Sequence, residues 1–345
     1  MVSGVKAKAI EKCRVCGKGG LVPILSLGEQ YISDFIENES QQGQKIPLEL
    51  VLCEVKNGGC GLLQLRHTTP PELMYTHYWY LSGLNESMKA ALADISASVE
   101  SIVRPSKGDI VLDIGCNDGT LLRSYRAEGI LRVGIDPAKN LPQYSSVGTT
   151  KIINDYFSAR AFHAHYPGRK AKAITAIAMF YDLDDPNSFV ADIVGVLDPK
   201  GVFIIQMSYL PLMLQTNAFD NICHEHLEYY SLLSLRNLLS RHNLEIIDAT
   251  LNDVNGGSFR VYCRFRGSKL QPNPGAAQRL AALEAEEAAL QLDSRKPYEE
   301  FSARVDGIRK QVVDFVSREA SAGRKIYVYG ASTKGNTLLQ TFGLS

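Results

Sequence analysis

The sequence predicts an α/β protein built around a largely parallel sheet. Strand-like apolar stretches alternate with helical ones from residue 109 onward, a glycine-bearing loop follows the first strand, and an acid ends the second. A cysteine-bearing segment precedes this region and a strongly helical region follows it. We therefore expect three domains, at 1–75, 76–268 and 269–345.

The composition excludes several classes of protein. A length of 345 residues suits two or three domains. Lys+Arg 37 balances Asp+Glu 37, whereas nucleic-acid binders usually carry a basic excess, so we expect no nucleic-acid partner. No apolar run approaches the roughly 20 residues of a membrane helix, and the first residues lack a signal-peptide core. We expect a cytoplasmic protein with no membrane partner, whose cysteines are thiols or metal ligands.

Four cysteines near the start of the chain predict a zinc site. Cys13 and Cys16 form a C-x2-C pair, and Cys53 and Cys60 form a second, wider pair. Such pairs present thiolates tetrahedrally to Zn²⁺, and a closed set of four leaves no open position, so the metal is structural. The alternatives are four unrelated thiols, or His67 in place of one cysteine.

The alternating region predicts seven strands, the last two joined as a hairpin: 109–115, 132–136, 151–154, 173–180, 201–208, 244–251 and 258–265. The first strand leads into Gly115–Gly119 and a helical stretch, where glycines let the backbone approach a ligand. Asp136 ends the second strand, about 20 residues further on, where a carboxylate suits ribose hydroxyls.

The glycine loop discriminates among cofactors. Its G-x-x-x-G spacing departs from the G-x-G-x-x-G of dinucleotide dehydrogenases, and no Gly-Lys-Ser/Thr follows, which excludes a phosphate-binding P-loop. The seven strands, the hairpin and Asp113-Ile-Gly-Cys-Asn-Asp-Gly119 resemble the class I S-adenosylmethionine (SAM) methyltransferases, which have a Rossmann-like seven-stranded sheet. The alternative for Asp113 is a structural capping role. The resemblance implies SAM contacts from Asp113, Gly115, Asn117, Asp118, Gly119, Asp136, Asp155 and Tyr156.

Two histidines flank a glutamate after the fifth strand, in His224-Glu225-His226. A zinc-peptidase H-E-x-x-H site is excluded, because Glu228 stands where the second histidine is needed. The pattern favours a general base whose neighbouring carboxylate fixes its tautomer and supports its charged form. A two-histidine metal site, or histidines satisfied by backbone groups, are the alternatives.

Four motifs in order cover nearly the whole chain: the cysteine segment, the H-E-H with its following tyrosines, Gly256-Gly-Ser-Phe-Arg260 and Tyr329-Gly-Ala-Ser-Thr-Lys-Gly-Asn336. Together they resemble the nucleotide-sugar C-methyltransferases, which include deoxysugar 3-C-methyltransferases. The resemblance implies a nucleotide-linked 4-keto-deoxysugar substrate, with SAM and structural Zn²⁺ as cofactors. It implies that a base removes the proton beside the ketone and that the enolate carbon takes the methyl group.

The same resemblance assigns the catalytic roles. His226 is the expected base, with Glu225 beside it and His224 as the substitute. Tyr80 is our choice for the hydroxyl that stabilises the enolate oxygen. The other candidates for that hydroxyl are Tyr78, Tyr229 and Tyr230.

The sequence departs from the family at two points. Cys223 precedes the H-E-H where the family typically has tyrosine, and 179–181 lacks a histidine that the family tends to carry there, so Tyr181 is a candidate replacement. An O-methyltransferase, a zinc-module methyltransferase acting on RNA or protein, and a non-catalytic SAM-binding protein are the rival functions.

The last segment predicts helices over 275–294 and 298–322, then a strand over 325–329. A small-residue loop with Lys334 and a helix over 337–342 follow, which is a candidate site for the diphosphate of the sugar nucleotide; an ordinary tight turn is the alternative. Because one strand and one short helix cannot form a sheet, we expect this C-terminal α/β domain to be truncated.

Overall fold

The computed structural model describes residues 7–32, 43–329 and 332–344. Their contacts separate the chain into two compact units, each with its own hydrophobic core. The first unit is Met1–Pro70, Tyr209–Ser231 and Glu287–Ser345, and the second is Pro71–Ser208 and Leu232–Glu286. Each unit is built from segments that are distant in the sequence. The division into three consecutive domains stays a prediction.

Strands and helices alternate along the described chain. The strands are β1 (Lys8–Ala9), β2 (Val22–Tyr31), β3 (Lys45–Leu52), β4 (Leu63–Leu65), β5 (His67–Thr68), β6 (Ile110–Ile114), β7 (Leu131–Ile135), β8 (Lys151–Ile153), β9 (Ala171–Ile177), β10 (Leu197–Ser208), β11 (Glu228–Tyr229), β12 (Leu244–Asn252) and β13 (Ser258–Phe265). The helices are α1 (Glu72–Tyr75), α2 (Glu86–Val103), α3 (Thr120–Arg123), α4 (Pro142–Ser145), α5 (Ala159–His165), α6 (Pro186–Val196), α7 (Leu210–Thr216), α8 (Leu232–Ser240), α9 (Ala276–Ala289), α10 (Lys296–Ser321) and α11 (Thr333–Phe342). Among the residues described, none of these helices is long and apolar enough to cross a membrane.

The second unit contains a seven-stranded sheet in the order β12-β13-β10-β9-β6-β7-β8. The five strands from β8 to β10 pair in parallel, whereas β13 is antiparallel to both β10 and β12. The seven predicted strands and the terminal hairpin are therefore confirmed. This is the topology expected from the resemblance to class I SAM methyltransferases.

The central strand β6 explains where a ligand can lie. Its five residues are all buried, as expected for a parallel strand covered on both faces. The strand order reverses beside β6, and a crevice forms outside the carboxyl ends of the strands at such a switch point. Because β6, β7 and β8 are parallel neighbours, the residues that follow them share this edge of the sheet.

Strand β9 ends three residues earlier than predicted. The predicted strand over 173–180 ends at Ile177. Ala178 adopts a left-handed backbone conformation with φ 52°, and Phe180–Asp182 then forms a 3₁₀ turn. A left-handed residue breaks the extended geometry of a strand, so the apolar pattern continues here without strand structure.

The first unit contains a four-stranded antiparallel sheet in the order β11-β4-β3-β2, and the pair β1-β5. Its core joins side chains from all three segments of the unit. They include Leu50 of β3, Met213 of α7, Tyr229 of β11, and Phe301 and Val305 of α10. The H-E-H segment lies between α7 and β11, so both of its flanks are fixed in this core.

The end of the chain differs from its prediction in two elements, a strand and the start of the last helix. Helices α9 and α10 confirm the two predicted helices, but 325–329 forms no strand and pairs with none of the described strands. A strand is stable only when a neighbour accepts its hydrogen bonds, so β propensity alone did not suffice. Helix α11 begins at Thr333, four residues before the predicted helix over 337–342, so Lys334 lies in the helix and not in the predicted loop. Ser332 caps the helix by accepting a hydrogen bond from the Gly335 amide. Gly330 and Ala331 lie outside the described residues.

Candidate functional site

Four cysteines of the first unit converge on one point. The Cys13 and Cys60 sulfurs are 3.5 Å apart, those of Cys16 and Cys53 are 3.4 Å apart, and all four lie within 4.8 Å of one another. A tetrahedral zinc with bonds near 2.3 Å needs sulfurs about 3.8 Å apart. The donor set and its spacing therefore fit a closed four-cysteine zinc centre. His67 is not part of this cluster.

Glycines shape both cysteine turns. Gly17 and Gly61, directly after Cys16 and Cys60, have φ of 71° and 80°, which only glycine adopts without strain. A side chain at Gly59 would come within 2.6 Å of the Cys53 sulfur. Glycine at these positions therefore allows the backbone to turn beside each cysteine pair.

The thiols differ in acidity. Hydrogen bonds from Cys53 and Cys60 lower the pKa of Cys13, so Cys13 carries the thiolate most readily. Thiolate is the form that binds zinc. The remaining three cysteines, Cys116, Cys223 and Cys263, are buried at other places in the fold.

The predicted cofactor residues of the second unit share one edge of the sheet. Gly115–Gly119 follows β6, Asp136 follows β7, and Asp155 and Tyr156 follow β8. Gly115 and Gly119 have φ of 69° and 79°. A side chain at Gly119 would come within 2.9 Å of the Ser145 carbonyl oxygen, so the loop is closely packed.

Asp136 is oriented by two backbone amides. Its carboxylate oxygens accept hydrogen bonds from Asn117 N, at 2.9 Å, and from Ala138 N, at 2.9 Å. Burial raises its pKa, while these two bonds counteract that rise. Each carboxylate oxygen keeps lone pairs beyond those bonds. The group therefore fits the ribose hydroxyls of a SAM molecule.

Asp113 and Asp155 have different surroundings. Asp113 is buried in β6 and accepts a 2.6 Å hydrogen bond from the Thr175 hydroxyl of β9. Burial raises the pKa of Asp113 to about 7. Asp155 is exposed and accepts a hydrogen bond from the amide of Tyr156, whose ring is 43% exposed. The exposed pair leaves an open surface at the end of β8.

The side chains of Asn117 and Asp118 contact the segment that carries Tyr80. Asn117 Nδ2 donates to the Tyr80 carbonyl oxygen at 2.8 Å, and its Oδ1 accepts from Ser82 N at 2.9 Å. Asp118 Oδ2 accepts from Gly83 N at 2.7 Å. The Tyr80 side chain is 48% exposed, and burial followed by the charge of Asp118 raises its pKa.

His226 is arranged as a proton acceptor. It is half-buried, and its Nδ1 lies 2.8 Å from the carbonyl oxygen of Asn221. A carbonyl can only accept, so Nδ1 carries the proton and Nε2 is left with a lone pair. Burial, together with the charge of Lys334, lowers the pKa of His226 to about 4. The neutral ring is therefore the form present near pH 7.

The other two members of the H-E-H have different surroundings. His224 is buried and its Nε2 lies 3.0 Å from the Ile46 carbonyl oxygen of β3, which ties the segment to the sheet. Burial lowers the pKa of His224 and raises that of Glu225. The group at His226 Nδ1 is the Asn221 carbonyl, so a backbone oxygen, and not the expected carboxylate, sets the tautomer.

The tyrosines after the H-E-H belong to the interior of the first unit. Tyr230 is fully buried and its hydroxyl donates to Glu228 Oε2 at 3.1 Å. Tyr229 is buried and lies 3.4 Å from the Asn221 carbonyl oxygen. Tyr181 is buried in the second unit.

Lys334 lies in the first turn of α11, and its Nζ is 3.9 Å from Asp220 Oδ2. Lys334 thus adds a positive charge to the start of α11, the region that the sequence analysis gives as a candidate site for a diphosphate.

The hydrogen bonds that tie Asn117 and Asp118 to residues 80–83 were missed by sequence reasoning. The pairs are 35 or 37 residues apart, and no spacing rule joins them.

Comparisons with known proteins agree with this geometry. Three family models match: a zinc binding domain over 13–75, a methyltransferase domain over 80–249 and a C-methyltransferase C-terminal domain over 253–345. The chain is 30% identical over 342 residues to the C-methyltransferase NovU of Streptomyces niveus. That match covers 98% of this chain and 79% of NovU.

Solved methyltransferases also align with part of the chain. A SAM-dependent methyltransferase of Clostridium acetobutylicum aligns with 52% of this chain and 92% of its own, at 13% identity and TM-score 0.41. Magnesium protoporphyrin IX methyltransferase of Synechocystis PCC 6803, solved with SAM, aligns with 52% of this chain and 79% of its own, at 12% identity and TM-score 0.38.

The topology, the cofactor edge and the cysteine cluster thus agree with the family models and with a relative that matches almost from end to end. The cofactors are SAM and a structural zinc, for which the four clustered cysteines are suitable ligands. The chain belongs to the C-methyltransferase family and is a SAM-dependent C-methyltransferase.

Proposed function

We propose that the enzyme methylates the carbon beside the ketone of a nucleotide-linked 4-keto-deoxysugar, with His226 as the base. The family membership supports carbon as the methylated atom, and the four motifs described above support the sugar. The observation that carries the mechanism is the hydrogen bond from His226 Nδ1 to the Asn221 carbonyl oxygen. It leaves Nε2 unprotonated, as a base must be before the reaction.

The proposed reaction has two steps. The C4 ketone acidifies the C3–H bond; His226 Nε2 takes that proton, and the bonding electrons move into the enolate. The enolate carbon then forms the new C–C bond. Bound SAM supplies an electrophilic methyl group, whose bond to sulfur breaks as the new bond forms. No oxidant is needed, and the proton remains on the histidine until it passes to solvent.

Two further groups complete the proposed chemistry. The enolate oxygen is negatively charged as it forms, and a hydroxyl donor stabilises it. Tyr80 suits this role, because its raised pKa keeps the hydroxyl protonated near neutral pH. We assign Glu225 to support of the imidazolium that forms on His226, and the diphosphate of the substrate to the N-terminus of α11 near Lys334.

The proposal is tested with SAM and matched pairs of nucleotide-linked 6-deoxy sugars that carry either a ketone or a hydroxyl at C4. We expect methylation of the 4-keto sugars alone, with the new methyl on carbon in the product NMR spectrum. Methylation of both kinds of sugar on oxygen would support an O-methyltransferase. Methylation of RNA or protein with no turnover of any sugar would support the zinc-module alternative.

Isotope exchange tests the base directly. The experiment replaces SAM by its demethylated product, S-adenosylhomocysteine, so that no methyl donor is present. In D₂O the enzyme should then exchange the C3 hydrogen of the 4-keto sugar for deuterium, which NMR detects. His226→Gln keeps the size of the side chain and removes the base, so exchange should fall by about 100-fold or more. The exposed His165→Gln is the matched control and should exchange at the wild-type rate.

An unchanged exchange rate in His226→Gln would assign the base to another group. The next variant would then be His224→Gln. Calorimetric titration with SAM should give the same affinity for His226→Gln as for the wild type, since the residue has no assigned role in cofactor binding.

A further inference from the structure

The segment before α2 is attached to two of the loops that carry the predicted cofactor residues, those after β6 and β7. We call residues 76–84 the aromatic segment, because it carries Tyr78, Trp79 and Tyr80 in succession. These side chains are 39%, 59% and 48% exposed. The segment and both loops belong to the second unit.

The first attachment is to the loop after β6. Asn117 uses both ends of its amide on the segment, donating to the Tyr80 carbonyl oxygen and accepting from Ser82 N. Asp118 accepts from Gly83 N and, through its other oxygen, from the Thr120 amide at the start of α3. Three hydrogen bonds therefore hold the four-residue stretch of backbone from Tyr80 to Gly83 against the loop after β6.

The second attachment is to the loop after β7. Asn140 forms a reciprocal pair with Tyr78, its Oδ1 accepting from Tyr78 N at 3.0 Å and its Nδ2 donating to Tyr78 O at 2.8 Å. The Lys139 amide donates to the Thr76 carbonyl oxygen at 3.0 Å. The aromatic segment is thus bound at both of its ends to loops that begin at cofactor residues.

The fit at Gly83 shows how close this contact is. A side chain there would lie 2.7 Å from both Asp118 Oδ2 and Thr120 Oγ1. Real Cβ atoms do not approach so closely, so a side chain at Gly83 would displace the segment or the side chains of Asp118 and Thr120. The contact therefore depends on both partners: on the side chains of Asn117 and Asp118 in the loop, and on a glycine at position 83 in the segment.

We propose that Asn117 and Asp118 are positioning residues, whose side chains hold Tyr80 at the cofactor edge and couple the aromatic segment to SAM binding. In this arrangement the side chains of Asn117 and Asp118 bind the aromatic segment, while the backbone of the loop and the Asp136 carboxylate bind the cofactor. The role of Tyr80 in this inference rests on the proposed function, whereas the coupling to SAM does not.

The chain offers a direct probe of the segment, because Trp79 is its single tryptophan. SAM titration of the whole enzyme should change the Trp79 fluorescence and reach saturation at the affinity measured by calorimetry. Asn117 has φ 50°, so Asn117→Gly removes the side chain with no backbone strain. Gly83→Ala pushes the segment away and alters no residue of the cofactor loop.

Both variants should bind SAM with a Kd within about threefold of the wild type, a difference below 1 kcal/mol. Their fluorescence change at saturating SAM should fall to less than about half. Asn243→Gly is the matched control, because Asn243 is exposed with φ 58° in the same unit, and it should respond as the wild type does. With the 4-keto sugar, kcat of both variants should fall about 100-fold while the KM for SAM is retained.

Two results would overturn the inference. One is a wild-type enzyme that binds SAM with no change in Trp79 emission. The other is an Asn117→Gly variant whose SAM affinity falls tenfold or more with a full fluorescence response, which would make Asn117 a cofactor ligand. Failure of every sugar to react would overturn the proposed function instead, and the SAM titration would still decide the coupling.

Discussion

At the scale of single residues, the environment of His226 suits the role of base that we propose for it. The residue is neutral because burial and a nearby cation disfavour its charged form. Its tautomer is set by one backbone carbonyl. A base with this arrangement needs no deprotonation step at neutral pH, so its availability is independent of pH over most of the physiological range.

The pH dependence of kcat/KM tests this environment. Protonation of His226 removes the base, so activity should fall as the pH decreases toward about 4, well below the ordinary histidine value of 6.5. Lys334→Met removes the nearby positive charge, which raises the pKa of His226 and should move the acid limb to higher pH. An acid limb near 6.5 in both proteins would contradict the buried environment that we assign to the base, because 6.5 is the ordinary histidine value. Circular dichroism at each pH controls for unfolding.

Residue identities could be predicted from the sequence more readily than residue partners. The four cysteines were identified from spacing alone, because a metal imposes one geometry on four like ligands. The partners of His226 and Asn117 were not, because each uses a backbone group, and backbone groups carry no sequence signal. The roles of Asp113, Asp155 and Tyr156 at the cofactor edge stay predictions.

At the scale of elements, the zinc centre stabilises the connection between two strands. Cys53 directly follows β3, Cys60 shortly precedes β4, and β4 in turn pairs with β11. The metal closes the loop between the strands and adds a second link to Cys13 and Cys16. We therefore expect zinc to stabilise the strand that supports the H-E-H segment.

Removal of zinc tests this expectation by hydrogen–deuterium exchange. A chelator, or the variant Cys60→Ser, should increase amide exchange in β3, β4 and β11, because the loop that joins the first two is no longer closed. Peptides from β6, β7 and β9 of the second unit provide the internal control and should exchange as before. Equal protection of β4 with and without zinc would contradict a structural role for the metal.

Helix α10 contains its own matched pair for a test of packing. Phe301 is fully buried in the core of the first unit, whereas Phe315 on the same helix is 51% exposed. Phe301→Ala should lower the free energy of unfolding by about 3–5 kcal/mol, through lost burial and the cavity left behind. Phe315→Ala should change it by no more than about 0.5 kcal/mol. Urea unfolding followed by circular dichroism measures both, and equal effects would contradict the assigned faces of the helix.

Strands could be predicted from the sequence within the seven-stranded sheet of the second unit, but not at 325–329. The seven strands of the second unit are apolar runs bounded by turns, and their burial repeats that pattern. The segment 325–329 has the same β-branched and aromatic composition, yet it is exposed and irregular. Composition predicts that a segment can be a strand, and a partner decides whether it is one.

At the scale of the whole molecule, the first unit depends on segments from three parts of the chain. Leu48 and Leu50 share a core with Met213 and Leu214 of α7 and with Phe301 of α10. The N-terminal segment alone would leave the apolar face of its sheet exposed to water. An exposed apolar face of this kind favours association with other molecules.

A fragment of residues 1–75 with one equivalent of zinc tests whether the predicted first domain folds by itself. We expect it to bind zinc through its four cysteines and to show poorly dispersed amide resonances, because the core partners from 209–231 and 287–345 are missing. A dispersed spectrum with a cooperative thermal transition would instead support an independent domain at 1–75.

The placement of the seven cysteines has a consequence for oxidation of the protein. Three thiols are buried in the fold, and the other four are occupied when zinc is bound, so an oxidant meets no available thiolate on the loaded enzyme. Once the metal leaves, Cys13 and Cys60, and likewise Cys16 and Cys53, are close enough to join as disulfides. Zinc loss under oxidising conditions would then persist until a reductant opens the disulfides and the metal can return.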